Sequence, residues 1–304
     1  MSFEIKSFKA NDGTEIYYYI RKTLEKPKAI LQIVHGMLEY MGRYEKFADD
    51  MADAGFEVAG IDLRGHGLTG KEQGHLGHFA DKDGWNKVLE DLVTFSDLMK
   101  TGSDLPYFIL GHSMGSFLTR CLINKQKNYY RAAIVMGTGE VNKVSEIKAL
   151  RRFTYLGGVR SSGKFIQKLL FNHYKKYFDT KSSPNVWIAK NAQAVKAYDE
   201  DKYCGFVASK GFFRDFADGM IYLNALEKDI TADMPVLILS GGDDPVGDMG
   251  KNIKKVYEKY KAAGADVNYK IYEGLRHEIL QEKERNQVVS DIINFYNIIL
   301  SGQK

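Results

Sequence analysis

Residues Gly111-His112-Ser113-Met114-Gly115 close an apolar run, Tyr107-Phe108-Ile109-Leu110, and open a helix-prone stretch, Ser116-Phe117-Leu118-Thr119-Arg120-Cys121-Leu122-Ile123. A Gly-x-Ser-x-Gly pentapeptide between a strand and a helix admits few folds. It needs a sheet edge at which the chain turns sharply from one element into the other. The turn forces Ser113 into a strained backbone conformation, and Gly111 and Gly115 remove side chains that would collide across it. Ser113 Oγ is then presented at the carboxyl edge of the sheet, over a helix N-terminus whose unpaired amides favour developing negative charge. Alone, the pentapeptide is equally an inert Gly-Ser-Gly turn; three further segments weigh against that.

A serine hydroxyl is a poor nucleophile at neutral pH and needs a base, which in turn needs an orienting acid. After a strand-to-helix serine of this kind, the chain order is Asp or Glu and then His. Pro235-Val236-Leu237-Ile238-Leu239-Ser240 reads as a buried strand followed by the loop Gly241-Gly242-Asp243-Asp244-Pro245. Val267-Asn268-Tyr269-Lys270-Ile271-Tyr272 reads as the next strand, ending in Glu273-Gly274-Leu275-Arg276-His277 before a final helix. The two loops present a carboxylate and an imidazole at the same edge as Ser113. Asp244 is the expected acid and Asp243 its competitor. Adjacent residues of an extended loop point to opposite sides, and Pro245 holds Asp244 extended. Turn capping would explain the aspartates, and a surface loop would explain His277; the ordered set favours catalysis. A fourth segment, Ala29-Ile30-Leu31-Gln32-Ile33-Val34-His35-Gly36-Met37, runs a strand into the loop where a second oxyanion amide belongs. The expected donors are the backbone N–H groups of Met37 and Met114.

Phe3 to Phe8 and Thr14 to Ile20 read as strands joined through Asn11-Asp12-Gly13, an antiparallel edge. Strands and helices then alternate: helix from Arg43 to Ala54, strand from Phe56 to Ile61, helix from Trp85 to Lys100, strands from Tyr107 to Leu110 and from Ala132 to Met136. This predicts an α/β fold with a mostly parallel sheet covered on both faces. The alternation stops after Gly137-Thr138-Gly139 and resumes near Pro235. Residues 1–139 and 211–304 are therefore expected to form the core, and residues 140–210, helical and rich in aromatics, a cap inserted over the active-site edge. Most of the cap aromatics are expected in helix cores, with a few lining an apolar ligand pocket.

The segments His35-Gly36-Met37-Leu38-Glu39-Tyr40-Met41-Gly42-Arg43-Tyr44, Asp62-Leu63-Arg64-Gly65-His66-Gly67, Gly111-His112-Ser113-Met114-Gly115, Gly242-Asp243-Asp244-Pro245 and Tyr272-Glu273-Gly274-Leu275-Arg276-His277 resemble the α/β-hydrolase superfamily. More narrowly they resemble its monoacylglycerol lipase and lysophospholipase branch, grouped with serine aminopeptidase-like hydrolases. The resemblance spans nearly the whole chain and fades from about Glu140 to Phe213. It implies Ser113, Asp244 and His277 as the triad and Met37 and Met114 as the oxyanion frame. Tyr40 stands where the branch usually carries His, and Ser116 where many relatives carry Gly. The resemblance makes His66 a structural residue packed under the site; His112 is expected to pack or hydrogen-bond locally.

The expected reaction is hydrolysis of a medium- or long-chain acyl ester through an acyl-enzyme, with no cofactor. A rival within enzymes is an aminopeptidase-like amide hydrolase, which would need cap carboxylates for a substrate ammonium. Asp199-Glu200-Asp201 is the one dense acidic cluster there. A rival of another class is a non-catalytic ligand-binding scaffold. Residues 140–210 hold 14 Lys and Arg against 6 Asp and Glu, +8 in a chain of net charge +4. Such a cap is suited to transient contact with an anionic membrane surface, although solvated helix faces are the plainer reading. No nucleic-acid motif accompanies the charge. His75 and His78 lack the partners of a metal site. Cys121 and Cys204 read as free thiols of a cytoplasmic protein. The first residues carry no apolar secretory signal, and no apolar run approaches the roughly 20 residues of a membrane span.

Overall fold

The computed structural model describes residues 2–126 and 128–302. Strands β1 (Glu4–Lys9), β2 (Glu15–Arg21), β3 (Ala29–Val34), β4 (Phe56–Ile61), β5 (Tyr107–His112), β6 (Ala132–Met136), β7 (Val236–Gly241) and β8 (Val267–Tyr272) form one sheet in the order β1-β2-β4-β3-β5-β6-β7-β8. β1 and β2 pair antiparallel through the Asn11-Asp12-Gly13 turn, and β2 runs antiparallel to β4. Every other pairing is parallel. The expected architecture, a mostly parallel sheet with an antiparallel N-terminal edge, is the one observed.

β3, β5 and β6 are buried along their whole length, as apolar strands must be when helices cover both faces of a parallel sheet. Their side chains alternate between two cores. Leu31, Ile33, Phe108 and Leu110 pack on one face with Phe47 of α1 (Glu45–Asp53) and Tyr296 of the C-terminal helix. Ile30, Val34 and Ile109 pack on the other with Leu92 and Leu118. The other helices are α2 (Gly67–Glu72), α3 (Gly84–Lys100), α4 (Met114–Lys125), α5 (Val144–Phe153), α6 (Lys164–Lys175), α7 (Ala192–Glu200), α8 (Lys210–Leu226), α9 (Lys251–Ala262) and α10 (Arg285–Ser301).

Several boundaries shift by one residue, among them those of β1, β2 and β7, and two shift by two residues. The helix expected from Arg43 begins as a tight 3-10 turn, Met41–Tyr44, and becomes α-helical only at Glu45. Arg43 lies in that turn, its guanidinium engaged by Glu39 and Glu278. β5 runs two residues further than expected, through Gly111 and His112. Between β6 and α8 the chain forms three helices, α5 to α7, with a long irregular passage from α6 to α7. Many of its aromatics are not core residues: Phe153, Tyr155 and Phe165 are exposed. Phe153 ends α5, Tyr155 follows it and Phe165 lies in the first turn of α6; packing alone does not explain these outward rings. Phe171, Tyr174, Trp187 and Tyr198 face inward and share a cavity with Ser113. Cys121 and Cys204 are free and buried. No helix among the described residues is long and apolar enough to cross a membrane.

Candidate active site

Ser113 is the first residue after β5 and caps α4 with φ +53° and ψ −120°. A non-glycine residue in this region carries about 1–3 kcal/mol of strain. The surroundings hold it there. The Ser113 N–H donates to Met136 O at 2.9 Å, and its carbonyl accepts from the Ser116 N–H at 2.8 Å and Ser116 Oγ at 2.6 Å. The flanking glycines are required by close approach. A Cβ on Gly111 would lie 2.2 Å from Thr119 Oγ1, and one on Gly115 would lie 2.0 Å from Val34 O. The second contact matters most. It sets the start of α4 directly against the end of β3, so the Met114 amide lies beside the His35-Gly36-Met37 loop. The first amides of α4 have no acceptor within the helix.

That loop is itself fixed. His35 Nε2 accepts from the Leu63 N–H at 3.0 Å, which leaves the proton on Nδ1 to be donated to Gly36 O at 2.8 Å. Burial pushes the His35 pKa down, so the ring is neutral. The Gly36 N–H donates to Glu39 Oε1 at 2.5 Å. Met37, half-buried, follows at the cavity wall.

The loops after β7 and β8 bring Asp244 and His277 to the same edge. Asp244 is fully buried and Asp243 exposed, the opposite pointing expected of adjacent residues. His277 Nδ1 lies 3.0 Å from both Asp244 carboxylate oxygens. Asp244 Oδ1 also accepts from the Val246 N–H at 2.9 Å. The His277 loop is pinned by Arg276, which donates to Val186 O at 2.6 Å and lies over the Phe178 ring, and by the Glu278 N–H donating to Ile188 O at 2.7 Å.

Ser113, His277, Met37 and Met114 line one cavity of about 50 Å³. Phe117, Phe171, Phe216 and Val246 make most of its wall apolar. Glu39, His112 and Glu278 give it one polar end. This volume suits a few waters rather than an acyl chain.

The polar end is a buried charge network not drawn from the sequence. Arg43 donates bidentate to Glu278 at 2.6 and 2.7 Å and to Glu39 at 2.9 Å. Tyr44 OH donates to Glu39 at 2.9 Å, and His112 Nδ1 lies 3.1 Å from the same oxygen. Burial pushes the Glu39 pKa up, but the His112 hydrogen bond and the charges of His112 and Arg43 outweigh it and hold Glu39 well below the usual carboxylate range. Burial opposes charge on His112 too, and the Glu39 hydrogen bond and charge overcome it, raising its pKa. Glu39 and Arg43 lie in a quoted motif, but nothing local in the sequence ties them to Glu278, 235 positions beyond Arg43.

His66 is buried against His35, with ring centroids 5.2 Å apart. Burial lowers its pKa to about 3, so it is a neutral packing residue and no second base. His112 hydrogen-bonds within the site, but its partners Tyr44 and Glu39 lie 68 and 73 positions away in the chain rather than next to it. His78 bonds Ser209 Oγ at 2.9 Å and Asp81 at 3.1 Å. Among the described residues no group of three or more His, Cys, Asp or Glu is placed to hold a metal ion.

The sheet order, the elbow after β5 and the carboxylate and imidazole after β7 and β8 define an α/β-hydrolase. The chain belongs to the family described as serine aminopeptidase, S33, whose model matches residues 25–284. It is 26% identical over 270 residues to phospholipase YtpA of Bacillus subtilis, covering 87% of this chain and 93% of that one. It is 25% identical over 295 residues to the monoacylglycerol lipase of Mycolicibacterium smegmatis, covering 95% of each. Among solved structures, a thermostable carboxyl esterase from Bacillus coagulans in complex with glycerol matches with a TM-score of 0.91 at 28% identity, covering 99% of both chains. The protein is a carboxylic ester hydrolase resembling monoglyceride lipase.

Proposed function

We propose that the protein cleaves medium- or long-chain acyl esters of the monoacylglycerol or lysophospholipid type through a Ser-His-Asp triad and an acyl-enzyme. The observation that carries this reading is the wall shared by Ser113 and His277, with Asp244 held 3.0 Å behind the imidazole at Nδ1. His277 Nε2 takes the Ser113 proton as Oγ attacks the ester carbonyl. Asp244 fixes the Nδ1–H tautomer and stabilises the imidazolium. The Met37 and Met114 amides receive the oxyanion; one such donor is worth on the order of 3 kcal/mol in the transition state. His277 then protonates the leaving alcohol, and water releases the acyl group by the reverse roles.

Residues 140–210 act as the cap of this site. Their inward aromatics would receive the acyl chain once the wall formed by α6 yields, because the cavity is too small as it stands. Their outward side chains, Phe153, Phe165 and Leu169, lie among lysines and arginines, a surface suited to transient contact with an anionic lipid interface, where such substrates reside. Two buried free thiols suit the cytoplasm. The amide-hydrolase alternative is less well supported. Among the described residues, the carboxylates that line the cavity, Glu39 and Glu278, are both engaged by Arg43. Asp201 accepts from Tyr40 OH and Asp199 from Asn185.

Ser113→Ala should abolish hydrolysis of a p-nitrophenyl acyl ester and labelling by a fluorophosphonate while the circular dichroism is unchanged. Retained turnover would remove the nucleophile assignment. Because the oxyanion donors are backbone groups, Met37→Ala should cost far less. Monoacylglycerol, lysophosphatidylcholine and a prolyl amide compared side by side would assign the substrate class. Binding to anionic vesicles should weaken in Phe165→Ser/Leu169→Ser.

A further inference from the structure

Leu38, one residue beyond Met37, has φ +59°, a left-handed conformation that a leucine adopts at a cost. It is 1% exposed. Its carbonyl accepts two hydrogen bonds, both from residues at or just past the end of α7: Tyr198 OH at 3.0 Å and the Gly205 N–H at 3.0 Å. Tyr198 is itself buried, and the Arg43 guanidinium lies over its ring, 4.9 Å from the centroid. Arg43 in turn holds Glu39, which accepts the Gly36 N–H. The strained turn is therefore clamped on both sides of Met37: at Gly36 by Glu39, and at Leu38 by Tyr198 and Gly205.

From this we infer that Tyr198 is a positioning residue for the reaction: its hydroxyl, by holding the Leu38 carbonyl, keeps the Met37 amide aimed at the developing oxyanion. The inference rests on the reading of Met37 as an oxyanion donor. A left-handed leucine relaxes toward ordinary backbone when its carbonyl is released, and that rotation carries the neighbouring peptide with it. The α7 region is then more than a cover over the substrate. It completes the geometry of the oxyanion site, which the core alone leaves under strain.

The experiment compares Tyr198→Phe with the parent on a soluble p-nitrophenyl ester. The ring, its packing and the contact with Arg43 remain; only the hydroxyl goes. The expected result is a fall in kcat of about tenfold with KM within twofold, since an amide moved by a fraction of an ångström loses transition-state contact and little else. The inhibition constant of an alkyl trifluoromethyl ketone, whose adduct carries the oxyanion, should weaken by a similar factor. Tyr40→Phe is the comparison. It removes another hydroxyl that joins the same two regions, the Tyr40 OH bond to Asp201 at 3.0 Å, without touching the Leu38 carbonyl. It should leave kcat within twofold. An unchanged kcat in Tyr198→Phe, a loss carried by KM instead, or an equal loss in Tyr40→Phe would overturn the inference. Should Ser113→Ala remain active, the underlying catalytic reading fails instead, whatever Tyr198→Phe does.

Discussion

The indole of Trp187 lies against the imidazole of His277, ring centroids 5.2 Å apart and planes tilted by 37°. On another side His277 meets the His112 ring at 4.8 Å. With Asp244 at Nδ1, the imidazole is held by two rings and one hydrogen-bonded edge, which leaves Nε2 as the atom the proposed triad would use. Trp187 Nε1 is buried without a hydrogen-bond partner, so its contact with His277 is through the ring alone.

Trp187→Ala should therefore lower kcat by about tenfold on a short soluble ester, because the imidazole gains freedom to leave its line of attack. Trp187→Phe keeps a ring and deletes the unpaired donor. It should stay within about threefold in kcat and lose little stability, since an unsatisfied buried N–H costs about 1–3 kcal/mol that phenylalanine does not incur. Steady-state kinetics and urea midpoints of the two variants check this. Equal losses in both would show that the indole N–H matters after all.

The two neighbouring aspartates make a sharper comparison. Asp244 is buried at the imidazole and Asp243 points to solvent. In the proposed triad Asp244→Asn removes the acceptor that would select the productive tautomer, and kcat should fall by roughly 10⁴-fold. Asp243→Asn should change it less than twofold. The opposite ranking would exchange their roles.

What could be read from the sequence depended on how local its cause was. The elbow was legible because Gly111 and Gly115 sit two residues from the serine they relieve, and the clashes they avoid are with the end of β3 and the first turns of α4. Asp244 was separable from Asp243 by the alternation of an extended loop beside Pro245. The central strands were legible from short apolar runs, which both faces of the sheet bury. The Arg43–Glu278 pair was not, since no periodicity links positions in different loops. Nor was the clamp of Leu38 by Tyr198, 160 positions apart. The aromatics of α5 and α6 misled for a related reason. A ring at helical spacing reads as core, and only the fold reveals that Phe153 and Phe165 have no layer outside them to pack against.

Arg43 bridges two buried carboxylates, its side chain 10% exposed against 4% for Glu39 and 6% for Glu278, while His112 faces Glu39 from the other side. Arg43→Met should thus leave Glu278 without its ion-pair partner and Glu39 with His112 alone. Removing one member of a buried charge group costs about 3–5 kcal/mol, and the loss should show in the thermal midpoint as well as in activity. Glu278→Gln, which keeps the shape and an acceptor for Arg43, should cost clearly less. A thermal midpoint for Arg43→Met within a degree of the parent would mean that the network contributes little to folding.

Asp215 offers a pH test away from the reacting atoms. It lies on α8 at 2% exposure, with Arg214 at 3.7 Å, against Gly84 at the start of α3. Burial raises its pKa to about 7, with the Arg214 charge pulling the other way. An unfolded aspartate titrates near ~3.9. Between these two values the native carboxyl keeps a proton that the unfolded chain has lost, so stability falls as pH rises from about 4 to about 7 and is level above. Asp215→Asn cannot ionise and escapes this penalty. Relative to the parent it should gain stability with rising pH, by at most ~4 kcal/mol at pH 8, and show no advantage at pH 4. Urea midpoints of both proteins across that range measure the difference directly. A gain that is flat with pH would mean the native carboxyl is already ionised, its charge met by Arg214 and the start of α3.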